Sequence, residues 1–264
     1  MAKPSLLGIP FDAHSSFARG PAQAPAKIRE AFHSSASNAW TETGVDLEGA
    51  LLDDGDLKFS SDEAAFQEIE TAILRQLERR LCPISLGGDH SITFPIMRAI
   101  AHVYPKVTLV HFDAHPDLYD EFDGNRHSHA CPFARILEEK LASRLIQIGL
   151  RTINGHQREQ AQKFGVEQYE MRALPPAKVL NLSGPVYVSF DVDVLDPAFA
   201  PGVSHREPGG LSMREAIRYI HAIEGQIVGA DIVEYNPLRD VDGITAITAA
   251  KILKEILGMV ITNK

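Results

Sequence analysis

The sequence predicts an α/β protein of three layers, with a mainly parallel central sheet between two layers of helices (αβα). Near-continuous apolar runs alternate with segments of helical periodicity along the whole chain. That is the pattern of a parallel sheet covered on both faces. Three of the runs, Cys82 to Leu86, Val107 to Phe112 and Val186 to Phe190, stop at acidic and imidazole side chains. No linker composition or internal repeat divides the 264 residues, so residues 1–264 are read as one domain.

In chain order, Ser5 to Ile9 is a first strand, Phe17 to Pro25 a Gly/Pro/Ala loop, and Ala26 to Phe32 a helix. Asn38 to Gly55 reads as polar and irregular. Ser61 to Arg80 carries Phe66, Ile69, Ile73, Leu74 and Leu77 at helical spacing, a core-packing stripe. After the Cys82 strand, Ile92 to Val103 is a helix whose Pro95 falls in the first turn. The Val107 strand leads into the loop Leu118 to Ala130 and a helix from Pro132 to Ser143. Leu145 to Leu150 and Val166 to Tyr169 are strands flanking a helix from His156 to Phe164. The Val186 strand precedes the loop Pro197 to Gly210 and a helix from Ser212 to Ile223, opened by a Ser-x-x-Glu capping box. Ile227 to Val233 is the last strand and Ile244 to Met259 the last helix.

The formal net charge of -9 gives a nucleic-acid role no electrostatic support, and no run reaches membrane-spanning length. Cys82 and Cys131 sit in different elements and suggest no disulfide framework. With no apolar leader at the N-terminus, a reducing cytoplasm is the expected setting.

The three apolar runs deliver His90, Asp113, His115, Asp117, Asp191 and Asp193 to their C-terminal ends, where ligands bind in open parallel sheets. In an extended segment residues i, i+2 and i+4 point to one side, so Asp113, His115 and Asp117 are expected to converge. Four carboxylates and two imidazoles exceed one ordinary zinc site and fit two divalent ions sharing carboxylates. Oxygen-rich coordination with some imidazole points to manganese, with iron, cobalt and nickel left open by ligand type. Two such ions about 3.5–4 Å apart lower the pKa of water toward neutrality and supply a nucleophile. With a hydroxide the cluster sums to about minus one, which favours a cationic substrate. Glu234, ending the last strand, suits a planar guanidinium. Asp89 is read as a helix cap or support for the site, Asp196 as a turn residue and Arg151 as structural.

LGGDHS, HFDAHPD and SFDVDVLDPAFAPG, in this order, resemble the arginase/agmatinase (ureohydrolase) family. LGIPFDAHSSFARGPAQAPAKIREA, YDEFDGNRHSHACPFARI, GVEQYEMR, PGVSHREPGG and VEYNPLRDVDGITAITAAK narrow the resemblance to the plant-type arginase branch. The resemblance runs nearly end to end. It implies the αβα fold, two Mn2+ per subunit on the six residues above, and assembly as a homotrimer or homohexamer. It also implies hydrolysis of a small cationic guanidino substrate by a metal-bridging hydroxide, giving urea and an amine. Asp117 then helps pass a proton to the leaving amine, and His129, which residue reading alone does not separate from His127, relays protons. Glu234 binds the guanidinium. Asn125, Ser128 and His205, in the two loops expected to rim the pocket, are candidates for the substrate's far end. The expected reaction is L-arginine to L-ornithine and urea. Agmatine or another guanidino acid is the alternative, and the animal-arginase loop that recognises the amino-acid end is not reproduced. A formimino hydrolase and a non-catalytic metal-binding scaffold are further alternatives; the intact ligand set argues against the scaffold.

Overall fold

The computed structural model describes residues 2–177 and 182–262. The apolar runs become the strands β1 (Lys3–Gly8), β3 (Leu81–Leu86), β4 (Thr108–Phe112), β5 (Arg144–Leu150), β7 (Pro185–Asp191) and β8 (Gln226–Val233). Two short polar strands, β2 (Leu52–Asp56) and β6 (Glu167–Glu170), close the edges. The order is β2-β1-β3-β8-β7-β4-β5-β6 and every pairing among the described strands is parallel. Short, charged edges are a common guard against pairing with another chain.

Among the described residues seven α-helices cover the sheet: α1 (Ala24–Phe32), α2 (Ala65–Glu78), α3 (Thr93–Val103), α4 (Pro132–Glu138), α5 (Gly155–Phe164), α6 (Met213–His221) and α7 (Ile244–Thr262). Alternate residues of each strand decide which helices meet which face. Val110 and Phe112 of β4 join a core with Ile28 of α1, Ile220 of α6 and Leu253 of α7. Leu109, on the other face, packs with Ile73 of α2, Met97 of α3, Phe133 of α4 and Ala161 of α5. The three-layer architecture follows, and among the described residues no helix is long and apolar enough to cross a membrane.

Several boundaries differ from the sequence reading. The 38–55 segment is not wholly irregular, because β2 pairs with β1 from Ser5↔Leu52 onward. Its polar side chains hold it: Asp54 accepts from Ser5 Oγ at 2.9 Å and from Arg79, and Asp53 from Arg29 Nε at 2.8 Å. α4 stops at Glu138 rather than Ser143, as Lys140 turns to a φ of 56°. α6 has the expected capping box between Ser212 and Glu215.

The strands that bear chemistry, β3, β8, β7 and β4, are adjacent and central in the sheet. β3 and β4 follow one another in the chain but are separated in space by β7 and β8. A crevice above such a break in strand order is where ligands bind in this architecture.

Candidate active site

Asp113, His115 and Asp117 do converge with His90, Asp191 and Asp193, but not through an extended backbone. The chain leaves β4 after Phe112 and bends, and Asp117 adopts a φ of 48°. Glu234, just past β8, has a φ of 63°. Left-handed backbone at non-glycine residues is costly and concentrates at functional sites. After β3, Gly88 lets two backbones touch: a Cβ there would lie 1.7 Å from Phe11 O. Asp89 then accepts from Ser91 N at 3.1 Å, capping the turn His90–Ile92, and from His14 N at 3.0 Å. Asp89 is thus a support, with burial and neighbouring Glu234 pushing its carboxyl up to about 6.

Two clusters share Asp113. His90 Nδ1 lies 3.2 Å from Asp113 Oδ2, 3.2 Å from Asp117 Oδ2 and 3.1 Å from Asp191 Oδ2. His115 Nδ1 lies 3.3 Å from Asp113 Oδ1 and 3.1 Å from Asp193 Oδ2. The two oxygens of one carboxylate therefore face different groups of donors.

The donor set fits metal ions. His90 Nε2 is 2.9 Å from Ser189 Oγ, whose hydroxyl donates to Asp231 Oδ1 at 2.7 Å. With its own hydrogen committed elsewhere, Ser189 receives the His90 Nε2 hydrogen, so Nδ1 carries a lone pair. That buried Nδ1 has no hydrogen-bond partner among the described residues, yet three carboxylates surround it. Buried carboxylates crowded around a lone pair repel one another unless cations or protons lie between them, and divalent ions meet both the lone pair and the charge. Burial and the neighbouring negative charges push Asp191 well above the usual carboxylate range and Asp193 up to about 6. Asp113, although burial opposes its charge, is held well below that range by His111 and the other imidazoles.

His111 escaped the sequence reading. Gln147 Nε2 contacts its Nδ1 at 3.0 Å, leaving Nε2 to donate to Asp113 Oδ2 at 2.8 Å. The ring stacks on Phe133 with centroids 3.8 Å apart. His111 thus orients a shared carboxylate from behind, as an outer partner does in metal sites. Its spacing from Asp113, two residues along a strand end, was the available signal. The Asp231 group was also missed; it accepts from Tyr187 Oη at 2.7 Å and Thr93 Oγ1 at 3.0 Å, and so anchors Ser189 and His90.

A cavity of about 230 Å³ opens onto this centre. Asp117, Asp191, Asp193, His115, His129, His205 and Glu234 all line it, with Ser16 and Glu207. His129 Nδ1 donates to Glu234 Oε1 at 2.8 Å and Nε2 meets Ser16 Oγ at 2.8 Å. Burial disfavours the charged ring, but the Glu234 carboxylate prevails and raises His129 to about 9. Glu234, buried yet held below its ordinary value by His129, also accepts from His90 N at 2.9 Å. His205 stacks on His129 at 5.6 Å, and burial keeps it below its ordinary value.

Asn125 and Ser128 do not line the cavity. Asn125 Oδ1 accepts from His127 N at 2.8 Å and its amide meets His14 Nδ1 at 3.0 Å, while Ser128 Oγ accepts from Ala130 N at 3.4 Å. Their polar atoms serve the loop. Arg151 gives its guanidinium to the carbonyls of Glu207, Gly149, Asp193, Val194 and Leu195, and Asp196 accepts from Ala198 N, Gly209 N and Gly210 N. Both are structural.

The family model described as "Arginase family" matches residues 2–258. "Arginase 1, mitochondrial" of Arabidopsis thaliana is 46% identical over 278 residues, covering 98% of this chain and 81% of the relative. "Agmatinase" of Bacillus cereus is 33% identical over 269 residues, covering 97% and 91%. The solved structure "Arginase from Medicago truncatula" superposes with a TM-score of 0.93 at 44% identity, covering 98% of this chain and 87% of that one. The cytoplasmic setting expected from the sequence is corrected by these relatives. Plant arginases similar to this chain, from Arabidopsis thaliana and Oryza sativa, are named mitochondrial or chloroplastic/mitochondrial. Matched along nearly its whole length in sequence and in fold, and with a donor set built for a binuclear metal centre, the chain belongs to the arginase family.

Proposed function

We propose that the protein is an arginase that hydrolyses L-arginine to L-ornithine and urea. His90, Asp113, His115, Asp117, Asp191 and Asp193 hold a pair of manganese ions in this reading. The observation that carries it is the pair of clusters sharing Asp113, with Glu234 and His129 on the wall of the same cavity. Manganese suits four carboxylates with two imidazoles. When bound, a pair of divalent cations supplies Lewis acidity and a nucleophilic water near neutral pH.

The chain's own groups do the rest. Glu234 uses Oε1 on His90 N and His129, and its Oε2 carries no hydrogen bond among the described residues. That oxygen accepts a guanidinium N–H and sets the central carbon toward the carboxylates. Asp117 takes a proton from the attacking water and returns it to the leaving amine. His129, bridged to Ser16 at the cavity wall, exchanges protons between the interior and solvent. The higher identity to plant arginases than to the agmatinase supports arginine as substrate. The exposed side chains Leu238, Val241, Ile244 and Ile247 support self-association as a homotrimer or homohexamer.

Urea release by manganese-loaded protein, with L-arginine and agmatine assayed side by side, tests the reading. Urea from arginine is expected. Urea from agmatine alone would overturn the substrate, and urea from neither would overturn the reaction.

A further inference from the structure

Besides the groups already described, His205 and Glu207 among them, the cavity is lined by Tyr119, Phe122, Thr152 and Gln157. Among the described residues lining the cavity there is no lysine or arginine. The two arginines adjoining Thr152, His205 and Glu207 in sequence are committed elsewhere. Arg151 donates to backbone carbonyls, including Asp193 O at 2.6 Å, and Arg206 donates to Pro201 O at 2.7 Å and Arg239 O at 2.9 Å. The charged His129 on the cavity wall is paired with Glu234 at 2.8 Å, so a substrate carboxylate arriving here would meet no unpaired side-chain cation, whereas a cation would meet a carboxylate.

That carboxylate is Glu207. Its Oε1 lies 3.9 Å from His115 Nε2, on the side of the ring away from the metal-facing Nδ1. The width of the imidazole plus this gap is of the same order as the aliphatic arm between a guanidinium and a distal amine. A second acceptor waits nearby. Gln157 is 4% exposed, it lines the same cavity, and its Oε1 has no hydrogen-bond partner among the described residues. A buried amide oxygen without a donor is costly, and an ammonium N–H satisfies it.

We propose that Glu207 and Gln157 form the seat for the substrate's distal ammonium, so that the site takes guanidines whose far end carries a cation and rejects those ending in a carboxylate alone. This inference rests on the ureohydrolase reading above. In L-arginine the group read is the α-ammonium, and the α-carboxylate is left to neutral donors such as Thr152 and His205.

Glu207→Gln keeps the shape and removes the charge. With metal-loaded enzyme, KM for L-arginine and for agmatine is expected to rise about 10-fold or more with kcat little changed. 4-Guanidinobutyrate, which has a carboxylate and no distal amine, is expected to be poor in the wild type and improved in the variant. Unchanged KM for the cationic substrates, or an equal loss for all three, would overturn the seat. Gln157→Leu should shift KM in the same direction by less, and no shift there would remove Gln157 from it. Manganese content of Glu207→Gln should match the wild type; a fall would instead assign Glu207 to holding His115. Putrescine binding, followed by calorimetry on the metal-loaded protein, gives the contrast without turnover. An affinity about 10-fold weaker in Glu207→Gln supports the seat even if urea release fails, and equal affinities refute it.

Discussion

Glu234 shows how much one side chain is asked to do. It accepts from His90 N, it holds His129 charged by sitting 2.8 Å away, and it lines the cavity. Glu234→Gln is expected to retain both metals, because Glu234 is not among the donors facing His90 Nδ1 or His115 Nδ1. Its kcat/KM for the guanidino substrate should fall roughly 100-fold, since a buried charge-assisted pair is broken. Steady-state kinetics with metal analysis would check this, and wild-type turnover would remove Glu234 from the mechanism. At this scale the sequence was legible where chemistry and spacing coincide: all six carboxylate and imidazole residues set at strand ends meet at one centre. It was misleading where loops decide. Asn125 and Ser128 sit in a polar loop beside His129, but their hydrogen bonds close the loop on itself. Ser16 was illegible for another reason: it acts through a partner, His129, whose position only the fold supplies.

The elements were read well wherever burial imposes a pattern. The strands packed on both faces kept their apolar runs, and the capping box placed the start of α6. β2 was missed because an edge strand is stabilised by its ladder with β1 and by ion pairs, not by an apolar face. The segment between α1 and β2 is tied down in the same currency. Glu42 pairs with Arg214 of α6 and with Lys251 of α7, while Glu255 accepts from Glu42 N at 3.1 Å. Arg214, helped by Lys251, holds the Glu42 carboxyl at about 2 against a modest burial penalty. A carboxylate with a depressed folded pKa stabilises the fold above its unfolded value of 4.5, and that contribution is lost as pH falls toward about 2. Arg214→Ala should therefore lower stability only slightly at neutral pH, as solvent-screened pairs do, and should flatten the melting curve's dependence on pH below 4.5. Thermal melts of both proteins across that range would show identical acid limbs if the pair contributes nothing.

For the whole molecule, four buried carboxylates at the centre of the sheet set a standing electrostatic load. Asp191 and Asp193 are pushed upward by burial and by neighbouring carboxylates, Asp113 among them for both, so cations bound there stabilise the native state. Ions that bind only the folded chain add stability by mass action, about 2.7 kcal/mol at a concentration 100 times the dissociation constant. Chelation should lower the melting temperature by several degrees, and manganese should restore it. A melting temperature indifferent to both would sink the metal assignment. The fold class was legible at this scale because periodicity alone dictates alternating layers. The strand order was not, since no local pattern says that β7 and β8 enter between β3 and β4.

That insertion has a consequence in time. As the chain emerges from the ribosome, β1 and β3 on one side and β4 and β5 on the other are complete while the strands that join them are still unmade. His90 and Asp113 then belong to two half-sheets. They come within 3.2 Å of one another only once β8 and β7 have bridged the gap. Residues 185–233 thus act as a keystone: a nascent chain that lacks them carries four of the six candidate metal ligands and no centre for them to share. Reactivity is a late event in the life of the molecule, withheld until the last strands have been laid in.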